Sequence, residues 1–351
     1  MLKNKRAIIV VIIMITMPGF SFANDKWAWE QFRNNFIQED GRVIDWVNNC
    51  THSEGIGYAL FFSLSYKDKK TFENVHNWMH NNLKKNRYGL YGWKWGEGDS
   101  GTWGMVDMNN ATDGDMWIAA SLLLAHEEYG NGKKEYLNEA LELLAAIRTN
   151  LIHKGDDDSL YLLPGKDGFI HGRMLTLNPS YLLLHLLRKF AYYEQDGPWR
   201  ELYKDSRELL RKSRFGRFQI HPDWIHVDSD TGQVKMYPEH RNFSYDAIRV
   251  PLFLAYEQKS FNAPELDDII STYIHLGRVY DAIGKVTQPV DLLNDTMSLT
   301  EAPLGFQAVF ACLDKKEQCM DYHRSIKKEL HNVSKDYYSF SLLLFTDILF
   351  R

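Results

Sequence analysis

The chain has few cysteines, no excess of positive charge and no long apolar stretch beyond its first residues, and each shortage excludes a class of protein. A formal net charge of -5 argues against a nucleic-acid partner, because phosphate binding requires a basic face. No later stretch is apolar over the roughly 20 residues that a membrane-spanning helix needs. We therefore expect a neutral or modestly charged partner and no stable membrane insertion of the mature chain.

The three cysteines, Cys50, Cys312 and Cys319, do not form a zinc-binding pattern. In an exported protein two of them could pair, and Cys312 and Cys319 are the nearer pair in sequence. On one continuous helix their side chains would stand about 10 Å apart, so a disulfide requires the helix to break near Asp314 and Lys315. The sequence leaves the bridged and the free states open.

The N-terminus has the composition of an export signal. Three basic residues within the first six precede an apolar run from Ala7 to Met17, and small residues typical of a signal-peptidase site follow at Ser21–Ala23. We predict a signal peptide over residues 1–23 and an exported protein, periplasmic or secreted. Retention as an uncleaved anchor stays an alternative, although the run is short for a bilayer span.

Residues 24–351 contain no Ser/Gly/Pro-rich linker, no low-complexity tract and no close repeat, so we predict a single domain. Period-two alternation is scarce, and Ile225–Met236 is the one convincing hairpin. Apolar periodicity predicts about a dozen helices, which could close into an all-α ring of six helical hairpins, a right-handed solenoid or a bundle. The predicted helices are 27–36, 54–65, 67–83, 113–129, 134–150, 179–192, 199–212, 245–258, 266–283, 303–313, 317–333 and 335–350.

Two carboxylates stand at the start of one predicted helix. Thr112, Asp113 and Asp115 indicate a capped helix start, and the apolar run after them continues as a buried helix. Capping and dipole chemistry explains one of these acids well and the second only in part. The tryptophans that precede them closely in sequence are Trp93, Trp95 and Trp103. Tryptophans beside carboxylates indicate a sugar site.

A second candidate segment begins another predicted helix. Ser53 and Glu54 can start it, yet Gly55 and Gly57 weaken its first turn by roughly 1 kcal/mol each relative to alanine. Two explanations stay open. Either a ligand approaches the backbone here, or the glycines allow tight packing against a neighbouring helix.

Two further segments carry candidate site residues. Asp246 and Arg249 are three residues apart, so on a helix they share a face, and the cation would hold the carboxylate ionised at neutral pH. A purely structural ion pair has the same pattern. Tyr181 lies just after a predicted helix start, where its phenol could face a cleft or simply pack.

Together these segments resemble glycoside hydrolase family 8. Ala111–Asp115 and the apolar run after it are similar to the family signature and depart from it at the end, where Tyr129 stands at a position usually held by Phe or Trp. The order of motifs resembles that in the family's cellulases that accompany bacterial cellulose synthases, over nearly the whole mature chain. The other motifs are Trp29–Phe32, Gly41–Asp45, Ser53–Gly55, the tryptophan segment, Asn178–Tyr181 and Tyr245–Arg249.

The resemblance implies an (α/α)6 barrel with a long open cleft. It also implies endo-acting hydrolysis of a β-1,4-linked polysaccharide, a cellulose-like glucan first of all, with inversion, in exopolysaccharide synthesis or remodelling. By the same resemblance Glu54 is the proton donor and Asp246 the catalytic base. We assign Asp113 to holding sugar hydroxyls and the distorted ring, because an inverting reaction has no covalent intermediate. The residues expected to bind substrate or support the base are Tyr181, Tyr245, Arg249, Asp115, Trp93, Trp95 and Trp103.

Among the tryptophans we expect about two of four, Trp117 included, to contact substrate, because a tryptophan is more often core than cleft. Trp103 is the first choice, since it lies in a predicted Gly-rich loop that includes Gly98, Gly101 and Gly104.

Other functions compatible with the sequence differ in what they would require. Chitosan, xylan or an amino-sugar exopolysaccharide could be the substrate instead. A non-catalytic polysaccharide-binding protein would keep the tryptophans and lose an acid. A metal-dependent cyclase or helical scaffold would need metal ligands or a partner surface, and we interpret Asp156–Asp158 and Asp228–Asp230 as solvated turns rather than calcium loops. We predict no cofactor, no metal and a monomer.

Overall fold

Twelve helices dominate the protein, whose computed structural model describes residues 26–129, 134–329 and 335–350. The predicted signal peptide over residues 1–23 lies outside these ranges. Among the residues described, no helix is both long and apolar enough to cross a membrane. The helices are α1 (Trp27–Phe36), α2 (Ser53–Ser65), α3 (Lys69–Asn82), α4 (Thr112–Tyr129), α5 (Lys134–Leu151), α6 (Leu184–Tyr193), α7 (Trp199–Lys212), α8 (Arg249–Phe261), α9 (Asp267–Ile283), α10 (Leu304–Leu313), α11 (Lys316–Glu329) and α12 (Tyr337–Phe350).

The even-numbered helices form a closed inner ring. Each packs against the next, from α2 to α4 and on to α12, and α12 packs against α2. The odd-numbered helices lie outside this ring, with α3 on α2, α5 on α4, α7 on α6, α9 on α8 and α1 on α12. The contact between α12 and α2 closes the circle, which a solenoid would leave open. The predicted (α/α)6 barrel is therefore confirmed.

Burial along the helices follows this arrangement. The inner helix α2 is buried at nearly every position, whereas the outer helix α7 buries a single stripe that includes Trp199, Leu202 and Leu209. Aromatic side chains from four inner helices meet at the centre, where Phe345 of α12 contacts Tyr58, Trp117 and Phe253. This aromatic cluster fixes the inner helices relative to one another.

The strands all lie in the connections that lead from an outer helix into the next inner helix. They are β1 (Cys50–His52), β2 (Gly92–Glu97), β3 (Trp103–Asn110), β4 (Ile152–Lys154), β5 (Leu160–Leu162), β6 (Ile170–His171), β7 (Met174–Leu177), β8 (Ile225–Asp228), β9 (Gln233–Met236), β10 (Asn242–Phe243), β11 (Val290–Asp291) and β12 (Thr296–Met297). The sheets therefore gather at the end of the barrel where the inner helices begin.

The predicted hairpin at Ile225–Met236 is confirmed as β8 and β9, but it is half of a four-stranded antiparallel sheet completed by β6 and β7. The predicted loop position of Trp103 is wrong, because Trp103 begins β3 and pairs with Glu97 of β2. Register shifts around Lys94 interrupt the pairing, and this irregularity removes the period-two pattern that would have revealed the strands.

Two predicted helix starts differ from the observed ones by more than two residues. The predicted helix 245–258 begins at Arg249, so Tyr245 and Asp246 lie in the turn before α8. The predicted helix 179–192 begins as a short 3₁₀ turn at Pro179–Tyr181, and α6 follows from Leu184.

The cysteine pair is bridged. Helix α10 ends at Leu313 and α11 begins at Lys316, so the chain breaks where a disulfide requires it. Cys312 and Cys319 form the bridge, with their Cα atoms 4.3 Å apart, and Cys50 is a free, buried thiol.

Candidate active site

Glycines bring the first turns of α2 and α4 together. A Cβ added to Gly57 would lie 2.6 Å from a side-chain atom of α4, and one added to Gly114 would lie 2.8 Å from the backbone nitrogen of Glu54. Of the two explanations for the glycines of α2, the structure supports close helix packing. The packing places Glu54 and Asp113 beside each other, because each stands in the first turn of its helix.

Arg249 joins the three predicted acids. Its Nη1 donates to Glu54 and, at 3.0 Å, to Asp113, while its Nη2 donates to Asp246 at 2.5 Å. The expected pairing of Asp246 with Arg249 is therefore confirmed. The side chain of Arg249 is 4% exposed and that of Asp246 is 33% exposed, so the cation lies beneath the carboxylates and Asp246 faces outward.

The charges at this cluster do not balance. One guanidinium compensates one of three carboxylates, and an uncompensated buried charge is costly. Burial raises the pKa of Asp113 well above its usual range, and the adjacent charge of Glu54, with which it shares a hydrogen bond, raises it further. Burial and the adjacent charge of Glu54 therefore both favour the protonated form of Asp113.

Asp246 is held on its other oxygen by Trp224, which was not among the predicted site residues. Trp224 Nε1 donates to Asp246 Oδ2 at 3.0 Å. Both oxygens of Asp246 therefore accept hydrogen bonds, one from Arg249 and one from Trp224. Trp224 follows Asp223 directly before the predicted hairpin, so a tryptophan beside a carboxylate was again the available signal.

Asp223 fixes the turn that carries Asp246. Its Oδ1 accepts from the backbone N–H groups of Ser244, Asp246 and Ala247, at 3.1, 3.1 and 2.9 Å. Because these N–H groups would otherwise continue α8 backward, this carboxylate explains why the helix begins only at Arg249. Burial and the neighbouring Asp246 raise the pKa of Asp223 to about 6. Asp223 is thus a positioning residue for the predicted base.

Two predicted tyrosines border the acids at different depths. The guanidinium carbon of Arg249 lies 5.4 Å from the ring centre of Tyr181, which was predicted. It also lies 5.9 Å from the ring centre of Tyr338, which was not predicted. Tyr338 donates from its hydroxyl to the backbone carbonyl of Tyr245 at 2.5 Å. Tyr245 is exposed and packs edge-on against Phe306, so Tyr181 lies beside the charged cluster and Tyr245 lies on its rim.

The predicted tryptophans line the sheet formed by β1, β2 and β3. Trp103 is 46% exposed and lies 5.4 Å from Trp95, and the guanidinium carbon of Arg42 stands 4.7 Å from both ring centres. Trp93 stacks on His52, with their ring centres 5.4 Å apart, and His52 lies two residues before Glu54 in the chain. The sheet therefore presents an aromatic surface with one open face, that of Trp103.

Asp115 lies in the interior and not at the predicted substrate-binding surface. It is fully buried, its Oδ1 accepts from the backbone N–H of Tyr91 at 2.9 Å, and its Oδ2 accepts from the Asn110 amide at 3.0 Å. Both oxygens are used to hold the ends of β2 and β3 against α4, so the predicted substrate contact of Asp115 is wrong. Burial raises the pKa of Asp115 to about 7.

Two other residues of this region also serve the fold. Trp117 is buried in the aromatic centre of the barrel, so it is not a substrate contact. Thr112 does not cap α4, because its hydroxyl donates to the backbone carbonyl of Leu163 at 2.6 Å. Both cases show side chains recruited by neighbours that lie far away in sequence.

The acidic turns bind their own backbone. Asp228 Oδ1 accepts from the N–H groups of Asp230 and Thr231, and Asp157 Oδ1 accepts from the N–H of Ser159 at 3.1 Å. These hydrogen bonds agree with the interpretation of both segments as turns.

Comparison with known proteins gives a consistent result. The model of the glycosyl hydrolases family 8 matches residues 3–350. An endoglucanase from Salmonella typhi is 31% identical over 349 residues, which cover 98% of this chain and 92% of that protein. The probable endoglucanase of Novacetimonas hansenii is 31% identical over 290 residues, which cover 81% of this chain and 80% of that protein.

Solved structures share the fold. An endo-beta-1,4-glucanase from Acetobacter xylinum superposes with a TM-score of 0.79 at 29% identity, covering 92% of this chain and 96% of that chain. A reducing-end-xylose releasing exo-oligoxylanase superposes with a TM-score of 0.74 at 17% identity, covering 91% and 89%, and this likeness concerns the fold alone.

Proposed function

This chain belongs to glycosyl hydrolase family 8, and from that premise we propose that it is an endo-acting β-1,4-glucanase that inverts the anomeric carbon. We further propose that it is an exported monomer that acts on a cellulose-like glucan in exopolysaccharide synthesis or remodelling. The observation that carries the catalytic part is the meeting of Glu54, Asp113 and Asp246 at the single guanidinium of Arg249.

In this proposal Glu54 is the general acid. Protonating a glycosidic oxygen requires a carboxylic acid that keeps its proton near neutral pH. Burial favours the protonated form of Asp113, and its hydrogen bond with Glu54 offers a path for that proton to Glu54, the more exposed of the two side chains. After Glu54 gives up the proton, the contact with Arg249 stabilises the carboxylate that remains.

Asp246 is the general base. Hydrogen bonds from Arg249 and Trp224 fix the orientation of its carboxylate, and its partial exposure leaves room for a water molecule. Glu54 and Asp246 contact the same guanidinium. The separation of their nearest oxygens is therefore at most roughly 8 Å, which is the sum of two hydrogen-bond lengths and the width of the guanidinium group. Inverting enzymes hold their two carboxyl groups roughly 6.5–9.5 Å apart, and this upper limit falls within that range.

Asp113 holds the sugar whose bond is broken. It is more deeply buried than Glu54 and keeps its contact with Arg249, so it is suited to binding a sugar hydroxyl and a distorted ring rather than to attacking carbon. An inverting reaction also forms no covalent glycosyl intermediate.

The aromatic surface beside the acids extends the site along a polymer. Trp103 offers an open ring face, with Trp95 and Arg42 packed behind it, and Tyr245 lies on the rim near Asp246. Aromatic faces bind the apolar faces of sugars. Binding surface on more than one side of the acids supports cleavage within a chain rather than at its end.

Soluble polymers with different linkages test the proposal directly. The purified protein is incubated with carboxymethyl cellulose, mixed-linkage β-glucan, xylan and chitosan, and the reducing ends and product sizes are measured. We expect the cellulose derivative to be cut into oligosaccharides of mixed length. Cleavage of xylan or chitosan alone would show that the substrate is that polymer and not a glucan. Release of no reducing ends from any polymer would overturn the proposed hydrolase activity.

A further inference from the structure

Two outer helices share a cluster of side chains that the proposed reaction does not use. His76 and His80 of α3 both face Glu139 of α5. His76 Nε2 lies 2.8 Å from Glu139 Oε2, and His80 Nε2 lies 3.1 Å from the same carboxylate. Because the two histidines are four residues apart on one helix, their rings project from the same face.

The cluster has the donor set and spacing of a transition-metal site. Two imidazoles and one carboxylate are ligands that Zn²⁺ accepts, with bonds of roughly 2.0–2.2 Å. In a tetrahedral site such bonds place neighbouring ligand atoms roughly 3.3 Å apart. The candidate ligand atoms of His76, His80 and Glu139 all lie within 4.8 Å of one another, so binding a metal requires only side-chain adjustment.

A further hydrogen bond orients the carboxylate. The hydroxyl of Tyr91 donates to Glu139 Oε1 at 2.8 Å, on the oxygen opposite the one that faces His76. Metal-binding carboxylates are commonly held by such an outer partner, which fixes the direction of the ligating oxygen. The backbone N–H of Tyr91 also donates to Asp115, so the tyrosine itself is fixed against α4.

The surroundings of the cluster favour a cation. The depression above it is lined by Glu73, Glu135 and Glu142 together with one cation, Lys85. His80 is half exposed, which gives an ion access from solvent. A histidine must be deprotonated to bind a metal, so metal binding weakens as the pH falls.

We propose that His76, His80 and Glu139 bind one divalent transition-metal ion, Zn²⁺ by preference, with its remaining position open to water. The ion joins α3 to α5 at the outer surface of the barrel, so its role is structural. Because Glu54, Asp113 and Asp246 lie elsewhere, the site is independent of the proposed glycosidase activity. The competing interpretation is a metal-free histidine–carboxylate hydrogen-bond cluster.

The test uses the full chain after dialysis against a chelator. A second group of possible metal ligands consists of Asp45, Cys50 and His52. All measurements are therefore made on a Cys50→Ser protein, which cannot bind an ion through this thiol. Zn²⁺ is titrated by calorimetry, and Co²⁺ is added separately to record the visible absorption of a coordinated ion. His80→Ala removes one ligand, and His171→Ala removes an exposed histidine of β6 as a matched control.

We expect one Zn²⁺ per chain in the Cys50→Ser protein and an unchanged affinity with His171→Ala. His80→Ala should weaken binding by more than the roughly 10–100-fold that the loss of an outer-shell partner costs. Zn²⁺ should also raise the melting temperature at pH 7.5 more than at pH 5.5, and this rise should vanish in His80→Ala. If His80→Ala does not fold, the His80→Gln variant is used in its place, because glutamine keeps a polar contact at this position.

Two results would overturn the proposal. The first is the absence of saturable Zn²⁺ binding to the Cys50→Ser protein. The second is Zn²⁺ binding whose affinity and effect on melting are the same with and without His80. Neither result depends on glycosidase activity, so failure here is distinguishable from failure of the proposed function.

Discussion

Gly114 packs so closely against Glu54 that a Cβ at position 114 would lie 2.8 Å from the Glu54 backbone nitrogen. The Ser53 hydroxyl lies nearer still, at 2.4 Å, and the backbone carbon of Ser53 lies at 2.9 Å. Because two of these three obstacles are backbone atoms, any larger residue must push α4 away from α2. The spacing of Glu54 and Asp113, one on each helix, is thus set by a glycine that carries no chemistry itself.

Gly114→Ala should damage the site through this spacing. We expect a loss of roughly 1–3 kcal/mol in the free energy of unfolding, from overpacking, and roughly 100-fold lower turnover, from acids displaced by about 1 Å. Urea unfolding and initial rates measure the two effects. Gly277→Ala in α9 is the control, because its Cβ would meet only Phe310, at an ordinary 3.5 Å. Equal behaviour of the two variants would contradict the spacing argument.

Glu54→Gln should remove most turnover and leave substrate binding intact, since the amide keeps the shape and cannot donate the proton. General acid catalysis contributes roughly 10²–10⁴-fold, so the variant should retain less than about a tenth of the wild-type rate. Rates on a soluble glucan and calorimetric binding of an oligosaccharide are the measurements. A variant that stays above that rate shows that Glu54 is not the acid.

Asp246→Asn should be nearly inactive, because the amide cannot take a proton from the attacking water. The wild-type enzyme should release the α-anomer from a β-linked substrate. Proton NMR of freshly formed product distinguishes the anomers before they equilibrate. Release of the β-anomer would mean retention, and Asp113 or Asp246 would then have to be considered as a nucleophile.

Trp103→Ala should weaken cleavage of polymer and long oligosaccharides by roughly 0.5–1.5 kcal/mol, estimated from aromatic pair energies. Its open ring face predicts little change in melting temperature. Short oligosaccharides should already be poor substrates, because remote binding supports distortion at the cleaved bond. Viscosity of a soluble glucan should fall faster than reducing ends accumulate. Viscosity that falls only in proportion to reducing ends would show action at chain ends.

Asp115→Asn should change how stability depends on pH. The pKa of Asp115 is about 7 in the folded protein and roughly 3.9 in an unfolded chain, so between these values the folded state binds the extra proton. Its contribution to stability is therefore full below about pH 4 and is lost as the pH rises through about 7. Urea unfolding at pH 5 and pH 8 measures the free energy of unfolding of both proteins. The difference between wild type and variant should be more favourable to wild type at pH 5 than at pH 8, by at most roughly 1.4 kcal/mol per pH unit. A difference that does not vary with pH would contradict the assignment.

Local sequence patterns predicted the helices well. The predicted helices 27–36 and 199–212 coincide with α1 and α7, because apolar residues at helical spacing decide where an amphipathic helix forms. The hairpin of β8 and β9 was also predicted correctly, because its turn residues separate two segments in which apolar and polar residues alternate.

The candidate acids were found because each stands beside a recognisable helix start. Their roles were predicted by resemblance to a family, and patterns of residue type alone left an ion pair and a base equally open at Asp246. Asp115 shows the limit of such patterns. It has the same residue type and helix turn as Asp113, yet its oxygens are taken by the backbone of Tyr91 and the amide of Asn110.

The sequence by itself thus determined which segments are helical and which acids stand at their starts, because both depend on neighbours within a few residues. Tertiary structure alone decided that Arg249 reaches Glu54 and Asp113, that Trp224 holds Asp246, and that His76 and His80 meet Glu139. Each of these contacts joins residues on different elements of the barrel. Their meeting is fixed by how closely the backbones pack, and local spacing carries no record of that distance.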